Sequence, residues 1–85
     1  MENKIEQFSH LMQVHSTPMG IERIKRNLKI QDCDVVEYCK VKISQENCHI
    51  YRQGKNWYCE VDNIRITINA YSYTIITAHL IDKRR

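Results

Sequence analysis

The sequence predicts an α+β fold in which two to three amino-terminal helices pack on one face of a four-stranded antiparallel meander sheet. Three observations predict it. Apolar residues recur at three- and four-residue steps over the first half of the chain, the period of a helix buried on one side. From Cys48 onward the period changes to two, and β-branched and aromatic residues dominate. Turn-forming residues at Gly54-Lys55, Asp62-Asn63 and Tyr71-Ser72 then punctuate the second half.

Ile5, Phe8, Leu11, Met12 and His15 share one face, so residues 3–15 read as an amphipathic helix. Ser16-Thr17-Pro18 is a start signal for the next. Thr17 suits the N-cap, and Pro18 suits the first helical position, where its missing N–H costs nothing. Ile21, Ile24 and Leu28 line one face of that helix while Arg23, Lys25 and Arg26 lie to the sides and back, which makes it short and basic. Gln31-Asp32-Cys33 interrupts the pattern. Asp34-Val35-Val36-Glu37 then has the form of a capping box, with Asp34 accepting from the N–H of Glu37, and Val36, Cys39, Lys40 and Ile43 carry the helix to about Ser44.

In the sheet, Cys48, Ile50 and Arg52 alternate with His49, Tyr51 and Gln53 before the tight turn at Gly54-Lys55. Trp57, Cys59 and Val61 form the apolar side of the second strand, with Tyr58 and Glu60 opposite. A two-residue turn at Asp62-Asn63, tolerant of positive φ, sets Val61 beside Ile64 and Glu60 beside Arg65. Ile64, Ile66 and Ile68 then face the core, and Arg65, Thr67 and Asn69 the open side. The last turn leaves two registers. A two-residue loop at Tyr71-Ser72 pairs Ala70 with Tyr73 and puts Ile75, Thr77 and His79 on the core side. A three-residue loop or bulge pairs Ile68 with Thr74 and Ile66 with Ile76, which leaves Ile75 and His79 on the open face. The second is preferred, because Ile76, Ala78 and Leu80 make a better buried set than a face ending in His79.

Eighty-five residues predict one domain, arranged as a first helix over 1–16, two helices over 17–44, the sheet over 48–81 and a basic tail over 82–85. A chain of this length buries somewhat over ~60% of its unfolded surface. That leaves no room for a large enclosed pocket, so activity is expected on an open face. Hydrophobic content of 42% with one Pro and two Gly argues against disorder. A net charge of +3, with Arg23, Lys25, Arg26 and Lys29 clustered, favours an anionic partner. The first ten residues carry early charges and no long apolar run, so neither a signal peptide nor a membrane span is expected, and the cytoplasm is. Cys33, Cys39, Cys48 and Cys59 match no CxxC ligand spacing and read as buried free thiols, with no metal or other cofactor expected.

The chain contains no HExxH, GxSxG, phosphate-binding loop or dinucleotide fingerprint. The residues expected on the open face suit metal-independent RNA cleavage, in which the substrate supplies its own 2′-hydroxyl nucleophile and the protein supplies proton transfer and positive charge. His79 is the candidate general acid or base and Arg65 the candidate phosphate cation. Thr67 and Thr77 are candidate donors to phosphate oxygens, and Tyr58 and Tyr73 candidate stacking partners for a base. Each has a plainer reading. Tyr and Thr are favoured in strands by propensity, Arg65 pairs with Glu60, and His10, His15 and His49 read as surface residues.

The stretches GIERIKRNL, DVVEYC, IYRQGKNWY and ITINAYSYTIITAH resemble a small uncharacterised bacterial family, the domain of unknown function numbered 3781, over about His15 to His79. That resemblance implies no activity. More distantly, two helices with Glu22-Arg23 and Arg26 in the first, then a meander ending in TIITAH, resemble the group of metal-independent ribonucleases that includes barnase, EndoU, colicin and RelE, many of them toxins. This second resemblance implies active-site positions at His79, Arg65 and the segment from Glu22-Arg23 to Arg26, with Arg23 and Arg26 on the nucleic acid, and an antitoxin as a partner. The chain departs from that group in lacking a second clear catalytic histidine and a basic run in the last strand. The alternatives are a non-catalytic module binding RNA or a protein through the same face, and a counter-defence or regulatory protein of a mobile element docking on a nucleoprotein machine. Self-association as a homodimer through the edge strand at Cys48 to Gln53 is a further one.

Overall fold

The computed structural model describes residues 11, 13–31 and 33–81. Helices α1 (Pro18–Leu28) and α2 (Val35–Ile43) precede strands β1 (His49–Gln53), β2 (Asn56–Val61), β3 (Ile64–Asn69) and β4 (Ile75–Leu80), which form one antiparallel sheet in sequence order. The α+β class and the four-stranded meander are as the sequence predicts. The described residues contain two complete helices rather than two to three. The helix expected over residues 3–15 falls mostly outside the described residues, but its end is corrected: His15 is extended and bridges Thr74. Its N–H donates to the Tyr73 carbonyl at 3.1 Å and its carbonyl accepts from Ile75 N–H at 2.6 Å, which satisfies edge groups of β4 that a helical His15 would leave bare.

Both helices start where their capping residues place them. Thr17 Oγ1 accepts from Gly20 N–H at 3.0 Å with Pro18 in the first turn, and Asp34 Oδ1 accepts from Glu37 N–H at 3.2 Å. α1 ends at Lys29, whose left-handed backbone lets its N–H close on the Lys25 carbonyl. Gly20 sets the approach of α1 to β4. A Cβ there would stand 2.6 Å from Ser16 Oγ and 3.5 Å from the Ile75 carbonyl oxygen. On α2 the buried stripe is Val35, Cys39 and Ile43; Cys39 and Ile43 are as expected, whereas Val35 takes the place of Val36, and Val36 and Lys40 are half-buried. Burying the Val36 stripe would carry the Lys40 ammonium inward without a partner.

Two tight turns align the first three strands. Gly54 (φ 63°) closes β1 and β2 on the Gln53–Asn56 pair, and Asp62 and Asn63 (φ 53° and 63°) close β2 and β3 on Val61–Ile64. Trp57, Cys59 and Val61 therefore share a face with Ile64, Ile66 and Ile68, and all six are buried. All of these but Val61 meet Ile24 and Leu28 of α1 and Cys39 and Ile43 of α2 in one core. Lys42 Nζ, 2.7 Å from Asp62 Oδ2, ties α2 to the second turn.

The pairing of β3 with β4 follows neither expected register throughout: beside the loop Ile68 faces Ile75 and Ile75 is buried, as the two-residue loop predicts, but the rest of the ladder is shifted. Ile64 faces Leu80, Arg65 faces His79, Ile66 faces Ala78 and Thr67 faces Thr77, after which a shift sets Ile68 against Ile75 and leaves Ile76 without a partner. His79 lies on the open face, as the preferred register has it, but the buried set of Ile76, Ala78 and Leu80 is corrected. Ile75 is 1% exposed, whereas Ile76 and Leu80 are 37% and 52% exposed. The bulge at Ile76 turns Ile75 into the core against Ile68 without moving His79 from Arg65. Residues 70–73 form the loop. Asn69 Oδ1 accepts there from the N–H groups of Tyr71 and Ser72, and Tyr73 adopts a left-handed backbone (φ 58°).

Two predictions follow from these contacts. Ile75→Ala costs about 2–5 kcal/mol and Ile76→Ala less than about 1 kcal/mol, read by urea unfolding; the reverse order would place the other isoleucine in the core. The Lys42 bond holds the Asp62 carboxyl below its ordinary value near 3.8 and, reciprocally, raises Lys42 above 10.5. Asp62 therefore adds stability that is present above its unfolded pKa and is lost as pH falls through its lower folded value. Lys42 adds stability that is present below its unfolded pKa and is lost as pH rises through its higher folded one. Because the pair is exposed, Asp62→Asn removes a small pH-dependent contribution at the acid limb, seen by comparing melting temperatures across pH.

Candidate functional site

The register lays the open face out in rows, one side chain from each strand. His49, Glu60, Arg65 and His79 are successive cross-strand partners and form the first row. Tyr51, Tyr58, Thr67 and Thr77 form the second, and Gln53, Asn56 and Asn69 the third. Neighbours along a row have Cβ atoms about 4.5–5.5 Å apart.

In the first row, Arg65 Nε donates to Glu60 Oε2 at 2.9 Å. The same carboxylate oxygen accepts from the Tyr51 hydroxyl at 2.8 Å, linking the first two rows. Donation to Glu60 raises the Tyr51 phenol above its ordinary 10.0 and keeps it a donor at neutral pH. In the second row, the rings of Tyr51 and Tyr58 stack at 5.4 Å between centroids and 22° between planes, and His49 adds a tilted contact to Tyr51 at 5.2 Å. Asn56 Nδ2 lies 3.4 Å from the Tyr58 hydroxyl. Where the first row reaches the corner of the sheet, an open groove of about 690 Å³ is lined by His49, Glu60, Asp62, Asn63 and Ile81, among others.

Of the expected site residues, the structure brings Arg65, His79, Tyr58, Thr67 and Thr77 onto one face. Thr67 is nonetheless only 8% exposed, hemmed in on its row by Tyr58 and Thr77, and offers little to a ligand. Thr77 Oγ1 receives a hydrogen bond from Asn27 Nδ2 at 3.2 Å, and the same amide donates to the Ala78 carbonyl. That bond locates α1. Arg23, four residues before Asn27, lies about 40° round the helix from it, on the stripe that borders the open face, whereas Arg26 lies about 100° from Asn27, about 60° beyond Arg23. Tyr73 is not part of the face. It belongs to the loop before β4, is half-buried, and packs against the core.

Sequence reasoning left out Tyr51 and gave His49 no role, yet both stand beside the expected residues. The signal was present in the turn. Closing a two-residue loop at Gly54-Lys55 pairs Gln53 with Asn56, and counting outward sets Tyr51 opposite Tyr58 and His49 opposite Glu60.

The cysteines are free thiols: Cys39 and Cys59 are buried, Cys48 is half-buried, and Cys33, against expectation, is exposed. Burial pushes the Cys39 thiol up to about 12, and contact with Cys48 raises Cys59. Neither is a nucleophile at neutral pH. Among the described residues no group of three His, Cys, Asp or Glu side chains is disposed to hold a metal ion, and no helix is long and apolar enough to cross a membrane.

No curated protein and no solved structure matches the chain, and none of the comparisons connects it with the ribonuclease group. A family described as a protein of unknown function, DUF3781, matches residues 8–79, and the chain belongs to that family.

Proposed function

We propose that the open face of the sheet binds single-stranded RNA, with Tyr51 and Tyr58 as the platform on which bases stack. The observation that carries this reading is the stacked tyrosine pair on the β1–β2 side of a polar face. Stacking on an aromatic ring is tolerant of base identity, because every base has a π-face, and contributes about 1–3 kcal/mol per base. The row of His49, Glu60, Arg65 and His79 lies to one side of the platform. It offers hydrogen-bond donors to phosphate and ribose, and Arg23 supplies a cation at the rim. The reading sets the protein in the cytoplasm, where its thiols stay reduced.

Binding is favoured over cleavage by the spacing of the imidazoles. His49 and His79 stand at opposite ends of the first row, three strand spacings apart, roughly 14 Å between backbones at ~4.8 Å per step. An acid and a base acting on one phosphate must flank it, and the Glu60–Arg65 ion pair lies between these two. A second reading, cleavage with His79 as the acid or base, is supported by the direct pairing of His79 with Arg65.

Fluorescence anisotropy with short labelled oligoribonucleotides tests the binding. Tyr58→Ala weakens it by about 1–3 kcal/mol, and Arg23→Ala lowers the salt slope by about one unit while Arg26→Ala leaves it nearly unchanged. Absence of binding in the wild type turns the face over to a protein partner, the regulatory docking role. Incubation with total RNA and a tRNA pool in EDTA separates the two RNA readings. Intact RNA fits a binding module, and fragments ending in 2′,3′-cyclic phosphate that disappear in His79→Ala establish cleavage.

A further inference from the structure

The two edges of the sheet are finished differently. Along β4, His15 bridges Thr74, α1 lies against the strand, and Asn27 donates to the Ala78 carbonyl. Along β1, no described residue pairs on the outer side. β1 is short, but it lacks two of the devices that keep an edge from pairing. It contains no proline, and its register with β2 runs without a bulge. The Arg52 guanidinium is drawn over the rings of Trp57 and Tyr71, at 5.7 and 5.6 Å.

The Gly54-Lys55 turn decides which backbone groups this edge offers. Because it closes on Gln53 and Asn56, the backbone groups of His49, Tyr51 and Gln53 point toward β2, and those of Ile50 and Arg52 point outward. We propose that this edge pairs with β1 of a second copy of the chain, antiparallel about a two-fold axis at Tyr51, to make one continuous sheet across both copies. In that register Ile50 of one copy exchanges both backbone hydrogen bonds with Arg52 of the other. No like charges meet, since Arg52 falls beside Ile50 and His49 beside Gln53. Tyr51 faces its own counterpart as a close, non-hydrogen-bonded pair, about 4.5 Å between Cα atoms. The stack that Tyr58 and Tyr51 already form at 5.4 Å continues across the axis.

An isologous interface requires a centre that complements itself, and a stacking tyrosine does. The edge is short, five residues, so the interface lies at the small end of the range and the dimer depends on concentration. The inference is independent of the RNA reading and is tested with protein alone.

Sedimentation across a concentration series shows the wild type approaching twice the chain mass. Tyr51→Lys and Tyr51→Glu each set like charges across the axis and sediment as monomers. Mixed in equal amounts they regain the dimer mass, because opposite charges then face one another. A wild type that stays monomeric at every concentration, variants that dimerise alone, or a mixture that fails to recombine overturns the proposal. Should either substitution unfold the chain by circular dichroism, amide exchange in the wild type decides. The Ile50 and Arg52 amides slow as concentration rises, and exchange at those two positions independent of concentration overturns the dimer.

Discussion

The part of the open face carried by the first three strands depends on left-handed backbone at Gly54, Asp62 and Asn63. Two-residue turns admit one register each, and a slip by a single residue would turn Ile64, Ile66 and Ile68 outward and part Glu60 from Arg65. Glycine reaches positive φ without cost, and Asp and Asn reach it more readily than other side chains do. Asp62 serves a second purpose, because its carboxylate is held by Lys42 of α2. The turn that sets the register is thus tied to the helix that covers the core side of β2.

The last hairpin has no such turn. Its loop places Tyr73 in the left-handed region without a glycine, a conformation that costs of order 1–3 kcal/mol, and three backbone contacts hold it there. Tyr73 N–H donates to the Asn69 carbonyl, the Tyr73 carbonyl accepts from His15, and Ile75 N–H donates to the His15 carbonyl. Register in β4 is therefore decided by a residue far upstream in the chain rather than by the loop. The bulge at Ile76 reconciles the two requirements on the strand, Ile75 beneath Ile68 and His79 beside Arg65.

This difference separates what the sequence makes legible from what it does not. The caps at Thr17 and Asp34, the first two hairpins and the Glu60–Arg65 pair are local, each written in residues at most five apart, and each is found as expected. The choice between Ile75 and Ile76 is not local, since both are equally apolar and only the His15 bridge tells them apart. The same holds for Arg23 and Arg26. Helical periodicity gives their angular separation, but the side of α1 that meets the sheet emerges only from Asn27 and Thr77, fifty residues apart. His49 and Tyr51 are an intermediate case, fixed by a local turn yet significant only once three further strands are aligned beside them.

The centre of the face is nearly neutral because Glu60 accepts from both Arg65 and Tyr51. An unpaired Arg65 would attract anions over a longer range, but its side chain would be free to swing. Paired, it is held in place, and so is the ring of Tyr51 that stacks on Tyr58. The arrangement exchanges long-range attraction for preorganisation, which lowers the entropy cost of ordering side chains on a ligand. On the RNA reading, affinity then rests on stacking more than on counterion release, and the salt dependence comes chiefly from Arg23 at the rim, not from the row at the centre. A partner that depended on bare positive charge would find it instead on the outward side of α1, where Arg26 lies away from the sheet.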